Sequence, residues 1–414
     1  MPKHMNKYYI QSFVAFAVLF FSVIACGQPD QDPVIGHPSL KEVFQDAFLI
    51  GTALNKAQIY AFTADIPPLS VERAFPRGYY AERRLVLDME SYQLARHHFN
   101  AVTPENVMKW EEIHPKPGEY VFDPVDVLVE MAEENDMFIT GHTLVWHSQV
   151  PDWVFRDDRG QLLDREALLA RMRDHIHTVV GRYKGRVQSW DVVNEALNED
   201  GSLRESLWYE IIGEDYLLKA FQYAHEADPN AELYYNDYNL EVPSKREGAI
   251  RLVQQLQEAG AHITGIGTQS HFSLEGPDIA EIEKTIVEFS KLGIDVMITE
   301  LDIGVLPAAF EYAGADVTLS AERTEELDPY TDGLPDEVQQ QLADRYEEIF
   351  NVYLDHKDKI SRVTFWGVTD HDSWRNYWPV RGRTAHPLLF DHDGEPKKAF
   401  YAVVALAQER LNRE

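Results

Sequence analysis

Val187-Gln188-Ser189-Trp190-Asp191-Val192-Val193-Asn194-Glu195-Ala196 is a short apolar run that ends in an amide and an acid. A run of this length bounded by polar residues predicts a buried strand, here Val187–Val193. Seven further runs have the same character: Phe48–Leu54, Asn100–Val107, Phe138–Trp146, Glu232–Tyr238, Gly265–His271, Asp295–Ile303 and Val363–Val368. Between them lie amphipathic, helix-period stretches at Leu163–Arg182, Tyr216–Ala227, Lys245–Glu258, Ile279–Leu292 and Asp336–Asp355. Ser39-Leu40-Lys41-Glu42 has capping-box spacing and is expected to open a helix ahead of the first strand. Eight strands separated by helical connections predict an α/β fold, a closed (β/α)8 TIM barrel, as a single domain over residues 39–414. Pattern alone leaves a doubly wound open sheet as the alternative. No internal repeat interrupts the pattern. The length of 414 residues, with 44% hydrophobic and 12% aromatic residues, suits a barrel with loop insertions and a large core. Two connections are long, residues 56–90 and 304–334. The second follows the seventh strand on the face where barrels place active sites, where it can shape a cleft or serve as an ordered structural loop.

The polar residues collect at the C-terminal ends of the runs. The fourth ends at Asn194-Glu195 and the seventh at Ile298-Thr299-Glu300-Leu301-Asp302. A carboxylate at the end of a buried strand is costly unless it is solvated, paired or functional. In a barrel these two ends face one cleft. Two carboxyls about 5–5.5 Å apart suit retaining glycoside hydrolysis, one protonating the leaving oxygen while the other attacks the anomeric carbon. A structural salt bridge or cap explains an isolated pair equally well, so the neighbours decide. Glu300 and Asp302 share a strand face, as do Gln269 with His271 and His142 with Trp146. Asp302 is placed to hydrogen-bond a histidine, and such a network orients a nucleophile and sets its proton affinity. Trp110, Trp146, Trp366 and Trp374 stand at or just beyond strand ends. Singly each suits a core, but four of them beside acids and amides favour a sugar-binding cleft.

Other chemistries lack their signatures. The sixteen histidines show no zinc-type spacing, HExxH or CxxC, and no GxSxG, P-loop or dinucleotide fingerprint is present. Asp370-His371-Asp372 is explained by a strand-end turn. The formal charge of −31, from 38 basic and 69 acidic residues, opposes nucleic acid as a partner. It fits a solvated acidic surface or, more sharply, adaptation to salty surroundings.

Several segments resemble glycoside hydrolase family 10, the endo-β-1,4-xylanases. They are Phe99-Asn100-Ala101-Val102-Thr103-Pro104-Glu105-Asn106-Val107-Met108-Lys109-Trp110, Gly141-His142-Thr143-Leu144-Val145-Trp146-His147-Ser148-Gln149 and Trp190-Asp191-Val192-Val193-Asn194-Glu195-Ala196. Tyr235-Asn236-Asp237-Tyr238-Asn239, Thr268-Gln269-Ser270-His271, Ile298-Thr299-Glu300-Leu301-Asp302 and Thr364-Phe365-Trp366-Gly367 follow in family order. The resemblance implies a (β/α)8 catalytic domain that cleaves internal bonds of xylan with retention of configuration. It implies Glu195 as acid/base and Glu300 as nucleophile, and the adjacent negative charge is expected to hold Glu195 protonated. Asn194 would touch the sugar 2-hydroxyl, and His271 would contact Glu300 and be oriented by Asp302. Glu105, Asn106, Lys109, His142, Trp146, Gln149, Gln269, Trp366 and Trp374 would line the glycone side, with Tyr238 near the aglycone side. The implied partners are xylan and xylo-oligosaccharides, acted on by a monomer without metal or cofactor. Residues 304–334 are longer than in compact members, which leaves aglycone-side preferences open. A β-1,4-glucanase and a non-catalytic glycan-binding lipoprotein are the rival readings.

The N-terminus carries its own signal. Lys3 and Lys7 precede an apolar stretch, Phe13–Ile24, too short to span a bilayer comfortably, so residues 1–25 read as a signal peptide. Val23-Ile24-Ala25-Cys26 resembles the bacterial lipoprotein signal, and Cys26 is the sole cysteine, which excludes an internal disulfide. Residues 26–38, polar and proline-containing, read as a tether from a lipidated Cys26. The expected location is therefore outside the cytoplasm, on a membrane face held by lipid alone.

Overall fold

The computed structural model describes residues 37–62, 87–308 and 320–411. The signal segment, Cys26 and most of the tether lie outside the described residues. So do residues 63–86 and 309–319 of the two long connections.

The strands are β1 (Leu49–Leu54), β2 (Ala101–Pro104), β3 (Phe138–Val145), β4 (Ser189–Asn194), β5 (Glu232–Asp237), β6 (Gly265–Thr268), β7 (His271–Ser273), β8 (Asp295–Gly304) and β9 (Ile360–Phe365). Every pairing between them is parallel. β1 lies between β2 and β9, and β6 joins β8 with Gly265 opposite Asp295, so eight strands close on themselves. The open-sheet alternative is thereby removed. Helices between the strands cover the barrel, among them Arg165–Arg182, Tyr216–Ala227, Pro243–Glu258, Ile279–Ser290 and Asp336–Asp355.

The apolar runs overshoot the strands for a physical reason. Val107, Trp146 and Val368 are buried in the loops above the barrel, so hydrophobicity continues after backbone pairing stops. The sixth run is two pieces: Ser270, with φ of +60°, breaks it between β6 and β7. β7 then pairs with the far end of β8, His271 opposite Asp302.

Apolar strand residues such as Ile50, Val102, Ile139, Leu233, Ile266, Ile298 and Val363 join helix residues such as Leu128, Ile176, Phe221 and Ile286 in one core. Phe350 sits 5.4 Å from Phe44 and 6.1 Å from Phe365, tying a helix to the chain start and to β9. Removing such a ring costs about 3–5 kcal/mol. The helix after Ser39 is a single turn, Leu40–Val43. Ser39 does not form the expected capping box, because its hydroxyl donates to the His97 carbonyl at 2.6 Å. Among the described residues no helix is long and apolar enough to cross a membrane.

Candidate active site

Glu195 follows β4 and Glu300 lies within β8, and both are buried. Buried carboxylates need donors, and every oxygen of the pair has one. Glu195 Oε1 accepts from Gln269 Nε2 at 3.0 Å and Asn194 Nδ2 at 3.2 Å, and Oε2 accepts from Trp146 Nε1 at 2.9 Å. Glu300 Oε1 accepts from Asn236 Nδ2 at 2.9 Å, and Oε2 lies 3.2 Å from His271 Nε2. Asn236 Nδ2 also reaches Asn194 Oδ1 at 2.9 Å. A continuous chain, Glu195–Asn194–Asn236–Glu300, therefore spans the mouth of the barrel.

The backbone aims these groups. Glu195 has φ of +56°, a conformation rare for a side chain with a Cβ. Its N–H donates to the Asn236 carbonyl at 2.9 Å and its carbonyl accepts from Arg204 Nε at 3.1 Å, so neighbours on both sides hold it there. Residues in such sparsely populated conformations persist where their surroundings over-determine them, often at active sites.

His271 stands between two acids, with Nδ1 3.0 Å from Asp302 Oδ1 and Nε2 beside Glu300. Burial alone would discourage its charge, but Asp302 and Glu300 outweigh burial and raise it to about 9. The ring is an imidazolium that donates to both carboxylates. Asp302 is fully buried, and burial pushes its carboxyl up. Arg375 and His271 more than reverse this and hold it well below the usual carboxylate range. Arg375 donates to Asp302 Oδ1 from Nε at 2.9 Å and Nη2 at 2.7 Å, and Trp374 Nε1 donates to Oδ2 at 2.6 Å.

Glu195 departs from the sequence expectation. Burial raises its carboxyl, but His147, the hydrogen bonds from Gln269 and Trp146, and Lys245 outweigh burial and hold it below its ordinary value. Apart from burial, the strongest influences on Glu195 are a histidine, hydrogen-bond donors and a lysine, not the neighbouring negative charge expected to raise its proton affinity.

Several of the other residues expected to line the cleft are tied to one another or to this network. Lys109 Nζ donates to Asn106 Oδ1 and Gln149 Oε1, each at 3.0 Å, and lies 5.0 Å from the Trp146 ring centroid. Glu105, just after β2, is among the acids that act on Lys109, together with Glu300 and Glu195. His142 pairs with Asp191 at 2.9 Å and meets the Trp366 ring edge-on at 5.3 Å. The Trp374 ring lies 4.9 Å from that of His271. Tyr238 accepts from Arg204 Nη2 at 3.0 Å.

Trp110 does not join them. Its ring stacks on His175 at 3.7 Å, close to His114, and it packs as core behind the cleft. Asp370, in a 3-10 turn after β9, is held by Lys397 Nζ at 2.7 Å and the Leu388 N–H at 2.8 Å. Asn236, Thr299, Arg375 and Asp191 were not expected in the site. Asn236 occupies the end of β5 as Asn194 occupies the end of β4, and that matching strand-end amide is the signal that marks it. Among the described residues no group of three or more His, Cys, Asp or Glu is placed to hold a metal ion.

A closed (β/α)8 barrel carrying two donor-saturated glutamates at its C-terminal mouth has the architecture of a glycoside hydrolase. The chain belongs to glycosyl hydrolase family 10, which matches it over residues 70–406. It is 40% identical to the endo-1,4-beta-xylanase A of Xylanibacter ruminicola over 370 residues, 89% of this chain and 94% of that one. It is 42% identical to a beta-1,4-xylanase of Dictyoglomus thermophilum over 369 residues, 89% of this chain and 90% of that one. Among solved structures it resembles a GH10 endoxylanase retrieved from a sugarcane soil metagenome. The TM-score is 0.79 and the identity 44%, covering 89% of this chain and all of that one.

Proposed function

We propose that this chain is a retaining endo-β-1,4-xylanase that hydrolyses internal xylosidic bonds by double displacement at Glu195 and Glu300. The observation that carries the reading is the hydrogen-bonded chain Glu195–Asn194–Asn236–Glu300, which ties the acid just after β4 to the acid within β8. The xylanase names of the relatives support the substrate.

In the first step a Glu300 oxygen bonds to the anomeric carbon as the glycosidic bond breaks. Glu195 gives its proton to the departing oxygen. In the second step the Glu195 carboxylate takes a proton from water, whose oxygen displaces Glu300, and two inversions yield retention. His271, charged and fixed by Asp302, fixes the orientation of the Glu300 carboxylate. Glu195 must carry a proton for the first step. A sugar in the cleft strips water from its carboxyl, and burial is the influence that raises its proton affinity. Asn194, bonded to Glu195 and Asn236, is assigned the contact with the sugar 2-hydroxyl. Lys109, Trp146, Trp366 and Trp374 form the glycone wall, and Tyr238 serves the aglycone side.

The deciding experiment combines two variants. E300A is expected to lose xylan hydrolysis. E195A is expected to keep the first step on 2,4-dinitrophenyl β-xylobioside and to regain its second step with azide. Near-normal xylan hydrolysis by E300A, or failure of E195A on both counts, overturns the assignment. Product profiles on glucuronoxylan, arabinoxylan and carboxymethylcellulose check the polymer.

We further propose that the mature chain acts as a monomer anchored by lipid at Cys26. The support is the Val23-Ile24-Ala25-Cys26 signal after a short apolar stretch. A C26A chain that still fractionates with membranes would contradict the anchor.

A further inference from the structure

Lys245 has entered so far only as a charge acting on Glu195, yet it is among the most deeply buried charges in the described residues, at 0% exposed. It is the third residue of the helix Pro243–Glu258, where the helix dipole disfavours a cation. Burying an ammonium there is costly unless specific partners compensate. The partners are Asp237 Oδ1 at 3.0 Å, Glu199 Oε1 at 3.2 Å and the face of Tyr238, whose ring centroid lies 3.4 Å from Nζ.

Both ends of this assembly reach the segment Glu195–Leu197. Asp237 accepts from the Tyr238 N–H at 2.9 Å and the Leu197 N–H at 3.4 Å, two residues beyond Glu195, and from the Tyr235 hydroxyl. Arg204 donates from Nη2 to the Tyr238 hydroxyl at 3.0 Å and to the Leu197 carbonyl at 3.2 Å. Its Nε donates to the Glu195 carbonyl at 3.1 Å.

We infer that Lys245 and Arg204 form a two-cation clamp that grips Tyr238 from its face and its hydroxyl, and thereby positions the strained Glu195 together with the tyrosine beside it. The inference rests on the reading of Glu195 as acid/base. Lys245 and Arg204 are positioning residues: they act through Asp237, Tyr238 and the Glu195 backbone. The electrostatics agree. Lys245 is one of the groups that hold the Glu195 carboxyl down. The groups facing Lys245 are Asp237, Glu199 and Tyr238, and against burial they raise its ammonium above the ordinary lysine value. The cation therefore stays charged across the working range.

The test uses two leaving groups. Xylotetraose needs protonation of its leaving sugar, whereas the first step on 2,4-dinitrophenyl β-xylobioside does not. K245M is expected to lower kcat/KM on xylotetraose about tenfold and to move the basic limb of its pH profile upward, with the aryl substrate within about twofold. K245R, which keeps the charge, should restore most of the loss. R204M, at a half-buried cation on the opposite side, is expected to show the same split, which keeps the test open should K245M fail to fold. Equal losses on both substrates, or an unmoved basic limb in both variants, overturns the clamp. E195A on the same pair separates the two ideas. If it spares the aryl substrate while K245M and R204M show no split, the clamp alone fails. If E195A loses both substrates equally, the acid/base reading fails instead.

Discussion

At the scale of single residues, the site is a set of donors aimed at two acids, and each donor leaves a signature in pH. Gln269 holds Glu195 Oε1 at 3.0 Å, a bond that favours the ionised form. Replacing it by leucine raises the Glu195 proton affinity. With Glu195 in its proposed acid role, the basic limb of kcat/KM on xylotetraose should then move upward. An unmoved limb would mean that Gln269 does not control the acid. His271 works in the opposite sense. Its affinity rises to about 9 in the fold, against about 6.5 in an unfolded chain. Its contribution to stability is complete below pH 6.5 and is lost as pH rises through 9. The shift corresponds to at most about 3 kcal/mol. In urea unfolding, H271N should therefore lag the native protein most at pH 6 and least near pH 9.5, and a pH-independent gap would contradict this. Period-two spacing made the Glu300–Asp302 pair legible in the sequence, and His271 bridges both acids even though β8 is irregular against β9 between Ile298 and Leu301. The direction of Glu195 was not legible, since it depends on a φ of +56° stabilised by Arg204 and Asn236, which are distant in sequence or on another strand.

At the scale of elements, the break between β6 and β7 matters most. A continuous strand over Gly265–His271 would carry His271 along the barrel wall. The turn at Ser270 instead starts a new pairing that sets His271 opposite Asp302. Nothing in the run Thr268-Gln269-Ser270-His271 announces that break, because serine is an unremarkable strand residue until its backbone turns left-handed. Gly267 is the more readable neighbour. A Cβ there would lie 2.6 Å from both Asn236 Oδ1 and Thr299 Cγ2, so only glycine lets Asn236 lie across the barrel toward Glu300. G267A is therefore expected to displace Asn236 and to lower kcat on xylan and on the aryl xylobioside alike, by about tenfold or more. A loss confined to xylan would place the damage elsewhere. The tryptophan pattern misled at one position. Trp110 opens the short helix Trp110–Ile113 after β2, and that helix turns the ring onto His175, away from the cleft.

At the scale of the whole molecule, the excess of acid is the property that no local feature explains. The barrel could be anticipated because eight apolar runs alternate with helical stretches, and closure follows once β6 meets β8. The charge of −31 is legible to anyone who counts, but its consequence depends on where the acids sit. Some are spent in ion pairs, such as Arg182 with Asp126 and Arg186 with Glu133, and such surface pairs contribute little each. With nearly twice as many acids as bases, the unpaired acids must repel one another across the surface, and that repulsion opposes the compact state. Added salt screens it over a Debye length that falls to about 10 Å at 0.1 M and about 3 Å at 1 M. The folded protein should thus gain from sodium chloride, with Tm rising by about 1–2 °C between about 0.02 and 0.5 M, equivalent to about 1 kcal/mol in a domain of this size. Scanning calorimetry at pH 7 measures it, with sodium chloride as the salt because strongly excluded anions such as sulfate would stabilise any protein. A Tm that stays level or falls would mean that the ion pairs, which salt weakens, outweigh the repulsion.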